Sequence, residues 1–170
     1  SLRTQAVDRP EITLIHPTSP EELAATREIF VEYAGTLDVD LDFQGFEDEL
    51  AELPGEYAAP RGHLVLALVE GAVAGCCALR PIDDVDYANA CEMKRLYVRK
   101  AFRGFGLGRQ LVDHTLATAA QLGYDCILLD TLDSMESARA LSADVGFEEI
   151  PPYYHNPIAG THCHKAEIRL

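Results

Sequence analysis

The feature that most constrains the fold is the segment from residue 90 to residue 132. In it, an apolar strand, a glycine-rich loop, an amphipathic helix and a second apolar strand follow one another. The apolar residues from Leu107 to Leu122 recur with a 3.6-residue period, and Gly123 is placed to end that helix. Two strands joined through a helix in this way lie parallel. The chain is therefore predicted to contain a parallel strand pair in a helix-covered sheet.

The rest of the pattern adds strands and helices around this unit, in the order β-α-α-β-β-β-α-β-α-β-β. Glu70-Gly71 predicts a hairpin turn, and Pro20 marks the first turn of a helix. The predicted fold class is α/β, a mixed sheet of about six or seven strands flanked by about four helices, in one domain over residues 11–170 after a flexible leader at 1–10. The expected strands span 11–17, 63–69, 72–82, 90–98, 124–132, 147–150 and 161–170, and the expected helices span 18–35, 43–53, 107–122 and 134–146.

Positive charge is concentrated in one part of an acidic protein. The formal net charge is −14, and residues 1–60 carry −11 of it, with 14 Asp and Glu against three Arg. Yet six of the 14 basic residues lie between Lys94 and Arg109, a window without a single acid. The overall charge disfavours nucleic acid and anionic membrane as partners and suits a cationic partner, although a role in solubility alone stays open. The basic window predicts a site for an anionic group.

Cysteine and histidine usage bears on the compartment and on metal binding. Five cysteines without a CxxC pair predict buried free thiols in a reducing compartment. No apolar run of membrane-spanning length is present, and the first residues lack the apolar core of a signal peptide, so we expect a cytoplasmic protein. His162 and His164 would share one strand face without a fourth ligand, so no metal is predicted, and His114 is expected to be solvated.

The loop RGFGLG, from Arg103 to Gly108, lies between a predicted strand and the start of a helix. Backbone N–H groups in a first helical turn lack internal partners, and the helix dipole adds positive charge, so such a loop cradles a phosphate. Positive side chains would add charge around the same spot, namely Arg99, Lys100, Arg103 and Arg109, while a plain structural turn is the alternative. A dinucleotide-binding GxGxxG turn would need glycine where Arg109 stands, and a Walker loop would need Gly-Lys-Ser/Thr.

The pattern R-x-x-G-x-G, preceded by LYV and opening an amphipathic helix, resembles motif A of the GNAT superfamily of acetyl-CoA-dependent N-acetyltransferases. Residues 138–150, ARALSADVGFEEI, resemble that family's motif B, and the likeness in element order covers roughly residues 12–170. The resemblance implies splayed parallel strands, with the pantetheine arm along one strand edge and the thioester carbonyl polarised by an N–H near Leu96. The implied cofactor-binding residues are Leu96, Tyr97, Val98, Arg103, Gly104, Phe105, Gly106, Leu107, Gly108 and Arg109.

The same resemblance suggests catalytic residues. Glu92 matches the general base of histone-acetylating members, with surface pairing to Lys94 or Arg95 as the alternative. Alternation along the strand puts Glu92 and Leu96 on one face unless a bulge intervenes.

The resemblance also bears on motif B and on the general acid. Ser137 and Ser142 replace the Asn and the general-acid Tyr of motif B, and they are expected to contact the cofactor. Tyr153 and Tyr154, which follow the last motif-B strand, are the candidate acids, with aromatic packing, or no protein acid at all, as alternatives.

The acceptor is expected to enter beside the loop between the first two helices. Asp38, Asp40 and Asp42 alternate there and would attract a cation, unless they form only a solvated acidic loop. The sequence thus predicts acetyl transfer from acetyl-CoA to a primary amine of a small, cationic molecule, by direct attack in a ternary complex without a metal. A non-catalytic acyl-CoA-binding sensor is the alternative, and an NAD enzyme is not predicted. Homodimers are common in the family, and the sequence leaves that question open.

Overall fold

The computed structural model describes residues 10–37, 45–132, 145–154 and 160–168. In these residues one seven-stranded sheet has the strand order β1-β2-β3-β4-β5-β7-β6, which confirms the predicted mixed sheet. Its strands are β1 (Ile12–Ile15), β2 (His63–Val69), β3 (Ala72–Ile82), β4 (Ala90–Val98), β5 (Cys126–Leu132), β6 (Glu148–Ile150) and β7 (Thr161–Glu167). The α-helices are α1 (Pro20–Gly35), α2 (Phe46–Glu52) and α3 (Leu107–Gln121), and short 3₁₀ turns span Gly55–Tyr57 and Lys100–Phe102.

The sheet pairing follows the predicted connections. Strands β4 and β5, joined through α3, are parallel, whereas the other neighbouring strands pair antiparallel. The β2–β3 hairpin turns at Glu70 and Gly71, whose φ angles of 49° and 82° are both positive. Two consecutive positive φ angles match the right-handed twist of the flanking strands, and this explains why glycine occupies the second position.

Helix α1 begins where the sequence signals predicted. The Ser19 side chain accepts a hydrogen bond from the Glu22 backbone N–H at 3.1 Å, and the Glu22 carboxylate accepts one from the Ser19 N–H at 3.1 Å. This reciprocal capping satisfies two backbone donors that the helix itself cannot pair. Pro20 at the first helical position costs the helix no hydrogen bond, because an N–H at this position has no partner inside the helix.

Apolar side chains fill both faces of the sheet. On one face α3 buries Leu107, Leu111 and Val112 against the inner strands. On the other face α1 and α2 bury Phe30 and Phe46, among others, against β2 and β3. The 3.6-residue period placed Leu122 on the apolar side of α3. This residue is 39% exposed, because the helix ends one residue earlier. The two cores hold β4 between them, so its side chains alternate between two separate environments.

The fourth predicted helix, 134–146, lies almost entirely outside the described residues. Gly146, its expected last residue, has φ of 94°, the left-handed conformation that ends many helices. All five cysteines are buried free thiols, as predicted. Within the described ranges, no helix combines the length and the apolarity that crossing a membrane requires.

Three histidines from different elements meet at one side of the sheet. The His63 ring stacks on His16 with centroids 4.6 Å apart, and its Nε2 lies 3.0 Å from Nε2 of His114. Burial and the two neighbouring imidazoles lower the pKa of His63 to about 4. The prediction of a solvated His114 was therefore wrong, because a half-buried contact with His63 holds this ring.

Candidate active site

A bulge in β4 decides which side chains face the candidate site. Strand β3 advances two residues, from Cys76 to Ala78, while β4 covers three, from Tyr97 back to Lys94. Arg95 is the extra residue and has φ of 61°, the left-handed conformation. Beyond it the alternation reverses, as bulges require. Glu92 and Leu96 therefore do not share a face: Leu96 packs into the α3 core, and Tyr97 packs on the α1 side.

Strands β4 and β5 separate just beyond Glu92. Their parallel ladder pairs Ala90 with Cys126 and ends at Glu92 with Leu128. From Met93 onwards β4 keeps β3 as its neighbour, whereas β5 continues beside β7. Leu96, Tyr97 and Val98 thus lie along a strand edge that faces the opening, and all three are half-buried. This is the splay that the resemblance implied.

The glycine-rich turn, Arg103 to Arg109, connects β4 to α3 on the exposed surface. Gly104 and Gly106 have φ of 92° and 78°, and a Cβ added to either would stand in open space. Gly108 already belongs to α3 and is not among the glycines of positive φ. The Leu107 side chain is 1% exposed and points into the core, so only its backbone faces the turn. The turn offers backbone N–H groups at a helix start.

The turn also carries exposed side chains around those backbone groups. Arg103 donates from Nε to the Val98 carbonyl at 3.1 Å, and the Arg109 guanidinium pairs with Asp113 at 3.2 Å. Phe105 is 54% exposed. Both arginines lie exposed beside the helix start, and Arg109 shares its charge with Asp113.

Part of the basic window faces the acidic N-terminal region instead of the turn. Arg95 makes a bidentate pair with Glu49 of α2, with N–O distances of 2.8 and 2.9 Å, and its side chain is 3% exposed. Arg99 contacts Glu32 of α1 at 3.1 Å. Arg99 therefore shares its charge with α1, and its support of the anion site stays a prediction.

A cavity of about 260 Å³ opens on the α1 and α2 side of the splay, next to Glu92. Glu92 is 3% exposed and accepts two hydrogen bonds, from Arg80 Nε at 2.7 Å and from the Tyr153 hydroxyl at 2.6 Å. The Tyr154 hydroxyl donates to Asp130 at 2.9 Å. The lining residues are Glu49, Glu56, Tyr57, Arg80, Ile82, Glu92, Lys94, Asp130, Tyr153 and Tyr154.

Burial and charge set the protonation states in this cavity. Burial alone raises the pKa of Glu92, but the charges of Lys94 and Arg80 and the hydrogen bond from Tyr153 outweigh it and keep that pKa below its usual value. Burial and the charges of Glu92 and Asp130 raise the pKa of Tyr153. Burial and Asp130 likewise raise the pKa of Tyr154. At neutral pH the carboxylate of Glu92 is ionised and both phenols keep their protons.

The structure brings together Glu92, Tyr153 and Tyr154, which the sequence had separated by some 60 positions. It adds Arg80, Lys94 and Asp130, which sequence reasoning did not assign to a site. Arg80 lies directly opposite Glu92 in the β3–β4 pair, so the hairpin register was the signal that could have found it. Five predicted residues lie outside the described ranges and stay predictions: Asp38, Asp40, Asp42, Ser137 and Ser142. No group of three or more His, Cys, Asp or Glu within the described ranges is arranged to hold a metal.

Parallel strands that separate beside a glycine-rich helix start, with acidic side chains at the opening, define the fold class of the acetyl-CoA-dependent acetyltransferases. The model of the acetyltransferase (GNAT) family matches residues 23–147. The chain belongs to that family, and it is an acetyltransferase. An uncharacterised N-acetyltransferase of Schizosaccharomyces pombe is 40% identical over 140 residues, 82% of this chain and 84% of that protein.

Solved structures show the same fold at lower identity. A GNAT-family acetyltransferase from Staphylococcus aureus Mu50 superposes with a TM-score of 0.72 at 21% identity, over 94% of this chain and 100% of that one. The protein yncA of Salmonella typhimurium, solved with its cofactor acetyl-CoA, superposes with a TM-score of 0.67 at 18% identity, over 93% of this chain and 94% of that one. These likenesses extend the family assignment to the three-dimensional fold.

Proposed function

We propose that this protein transfers the acetyl group of acetyl-CoA to a primary amine of a small, cationic molecule, by direct attack in a ternary complex. The observation that carries the proposal is the opening between β4 and β5, which starts immediately after Glu92 and Leu128. A carboxylate-lined cavity lies on one side of that opening and a glycine turn at a helix start lies at the end of β4. One path through the sheet therefore joins a site for an anion to a site for an amine.

The glycine turn fits the pyrophosphate of acetyl-CoA. Open space lies where Cβ atoms of residues 104 and 106 would stand, so a ligand can approach the backbone closely. The N–H groups of the first turn of α3, together with the helix dipole, favour negative charge there. Arg103 and Arg109 add positive charge at the rim. The exposed strand edge at Leu96 to Val98 then provides backbone groups for the pantetheine arm and the thioester carbonyl.

The cavity suits a small acceptor with positive charge. Its volume of about 260 Å³ lies below the range typical of drug-sized ligands. Four carboxylates line it, from Glu49, Glu56, Glu92 and Asp130. Arg80 and Lys94 in the lining, and Arg95 through its pair with Glu49, balance three of these charges and leave one in excess. The excess of negative charge attracts an ammonium group to the place where the acetyl group would be transferred. Asp38, Asp40 and Asp42 would add to the same attraction.

An amine must lose a proton before it can attack a thioester. At pH 7 the protonated form of an amine with a pKa of about 10 exceeds the neutral form roughly a thousandfold, so forming the neutral amine costs about 4 kcal/mol. We assign Glu92 as the base. Both of its oxygens already accept hydrogen bonds, so the Tyr153 hydroxyl is placed to take the proton from the amine while it passes its own to Glu92.

The attack forms the N–C bond of the amide and breaks the C–S bond of the thioester, and the electron pair leaves on the CoA thiolate. The raised pKa values of Tyr153 and Tyr154 keep both phenols protonated at neutral pH, so either can donate a hydrogen bond to that sulfur. The five buried free thiols support a reducing compartment, and we retain the cytoplasm as the proposed location.

Calorimetric titration with acetyl-CoA, CoA and NAD tests the cofactor, and thiol release with a panel of cationic and neutral amines tests the acceptor. We expect micromolar binding of both CoA species, no heat with NAD, and faster thiol release with cationic amines. Acetyl-CoA binding without turnover of any amine would instead favour the non-catalytic sensor. Failure to bind either CoA species would refute the transferase proposal.

A further inference from the structure

Lys94 occupies an unusual position among the lysines of this chain. The chain has only three lysines, against 11 arginines. Lys100 is exposed in the 3₁₀ turn after β4, and Lys165 pairs with Glu167 on β7. Lys94 is the one that lines the cavity, on the strand that borders the opening. An amine is therefore already part of the wall of the site proposed to receive one.

The geometry of β4 aims this amine at the acceptor side of the opening. Glu92 and Lys94 alternate onto the same face, and the bulge at Arg95 begins directly after them. Lys94 lies two residues past the last β4–β5 pair, where β5 no longer covers the strand edge. If the thioester lies along Leu96 to Val98, as the proposed function holds, then Lys94 is adjacent to it in the chain and shares the cavity with Glu92 and Tyr153.

The surroundings of Lys94 favour the neutral, nucleophilic form of its amine more than the surroundings of an exposed lysine do. Burial lowers the pKa of Lys94; the charges of Glu92 and Asp130 oppose this effect, and those of Arg95 and Arg80 add to it. A larger fraction of the amine is neutral at a given pH as a result. A desolvated lysine of this kind is a common nucleophile in enzymes.

Resting on the proposed function, we propose that Lys94 is a self-acetylation site, an internal acceptor that takes the acetyl group when no external amine is bound. The neutral Nζ attacks the thioester carbonyl, the new N–C bond forms, and the C–S bond breaks with its electron pair on the CoA thiolate. The surplus proton on nitrogen leaves for Glu92 through Tyr153 or for solvent. The products are N-acetyl-lysine and CoA, and no further reactant is needed.

Acetylation of Lys94 would change the site for external acceptors. It lengthens a side chain that already lines a cavity of about 260 Å³. The acetyl group occupies space that an external amine would need and so opposes acetylation of a second amine. The modified protein is therefore expected to turn over external amines more slowly than the unmodified protein does.

The test incubates the purified protein with acetyl-CoA alone and follows intact mass and the three lysine-containing peptides with time. We expect addition of a single acetyl group at Lys94, about tenfold or more faster than at exposed Lys100, because a held amine reacts intramolecularly. The rate per molecule should not depend on protein concentration. Lys94→Arg keeps the charge and should lose the modification, and Gly106→Glu should reduce Lys94 acetylation to the Lys100 rate.

Calorimetry on the same preparation separates this proposal from the proposed function. Acetyl-CoA binding and amine turnover without modification of Lys94 would refute self-acetylation and leave the transferase intact. Equal rates at Lys94 and Lys100, or a rate per molecule that rises with protein concentration, would also refute it. Absence of acetyl-CoA binding would refute both. The peptide measurement on the unsubstituted protein decides the question even if Lys94→Arg fails to fold.

Discussion

The cavity beside β4 and the glycine turn after it share one basic stretch of sequence but use its positive charge in opposite ways. Beside the cavity, Arg95 of this stretch is buried against Glu49 of α2, so its charge is neutralised inside the protein. In the turn, Arg103 and Arg109 remain at the exposed surface. The comparison shows that a cluster of basic residues in a sequence does not by itself locate an anion site. The exposed part of the cluster is the proposed anion site.

The largest expected effect concerns the buried Arg95–Glu49 pair. Arg95→Ala leaves Glu49 without its bidentate partner and removes a guanidinium that lies 5.2 Å from the Phe46 ring centroid. We expect the free energy of unfolding to fall by about 3–5 kcal/mol, measured by chemical denaturation. Arg61→Ala, which breaks the exposed pair with Asp83, is the matched control and should change it by less than about 1 kcal/mol. Equal losses would contradict the contrast between buried and exposed charge.

The second prediction concerns catalysis at the cavity. Glu92→Gln keeps the shape of the side chain but removes the base and turns one of its two accepting oxygens into an NH₂ donor, so kcat should fall by about a hundredfold to a thousandfold. The dissociation constant for acetyl-CoA should stay within about twofold, since the turn is unchanged. Glu56→Gln is the control, because Glu56 also pairs with Arg80 but has a side chain that is 68% exposed. An unchanged kcat across pH 6 to 9 would remove Glu92 from its role as base.

At the turn, the third prediction concerns the backbone cradle. Gly106→Glu places a carboxylate where a phosphate is expected and should weaken acetyl-CoA binding by about a hundredfold or more, about 2.7 kcal/mol, as measured by calorimetry. Gly71→Glu is a close control. Gly71 also has positive φ, 82° against 78°, and also faces open space, but it lies in the β2–β3 hairpin. If both substitutions weakened binding equally, the turn would not be the binding site.

The smallest effect concerns the exposed arginines. Arg103→Gln should weaken acetyl-CoA binding by only several-fold, because one exposed charge contributes on the order of 1 kcal/mol or less. The same substitution should also reduce the sensitivity of binding to salt, because exposed charges are screened and fewer would remain. Titrations at low and high ionic strength measure both the affinity for acetyl-CoA and its dependence on salt. A salt dependence identical to that of the unsubstituted protein would mean that Arg103 does not contact the phosphates electrostatically.

Local patterns were sufficient for most of the described fold. The period of α3, the helix start at Pro20 and the turn at Glu70-Gly71 each depend on residues close together in the chain, and each was predicted correctly. For Glu92 and Leu96 the sequence left two outcomes open, one shared face or a bulge between them, and the structure has the bulge. That assignment depends on whether β4 accommodates an extra residue, and the register with β3, a nonlocal feature, decides it.

The candidate site shows the same division. Glycine spacing indicated the turn, because cradling a phosphate requires small residues at a helix start. Only the assembled sheet placed the Tyr153 hydroxyl 2.6 Å from Glu92 and added Arg80 and Asp130 to the cavity. No spacing rule joins positions 92 and 153, since they meet only through the pairing of β5, β6 and β7.

The sequence by itself determined most of the described secondary-structure elements and the family, and it indicated the glycine turn as the proposed phosphate site. These depend on short-range hydrophobic period, capping and glycine conformation, which act within a few residues. The tertiary structure alone decided which charges became buried, where β4 bulges, and that Glu92, Lys94 and Asp130 share one cavity. The physical reason is that burial and ion pairing depend on distances across the sheet, which are fixed only when the strands pair and the helices pack against them.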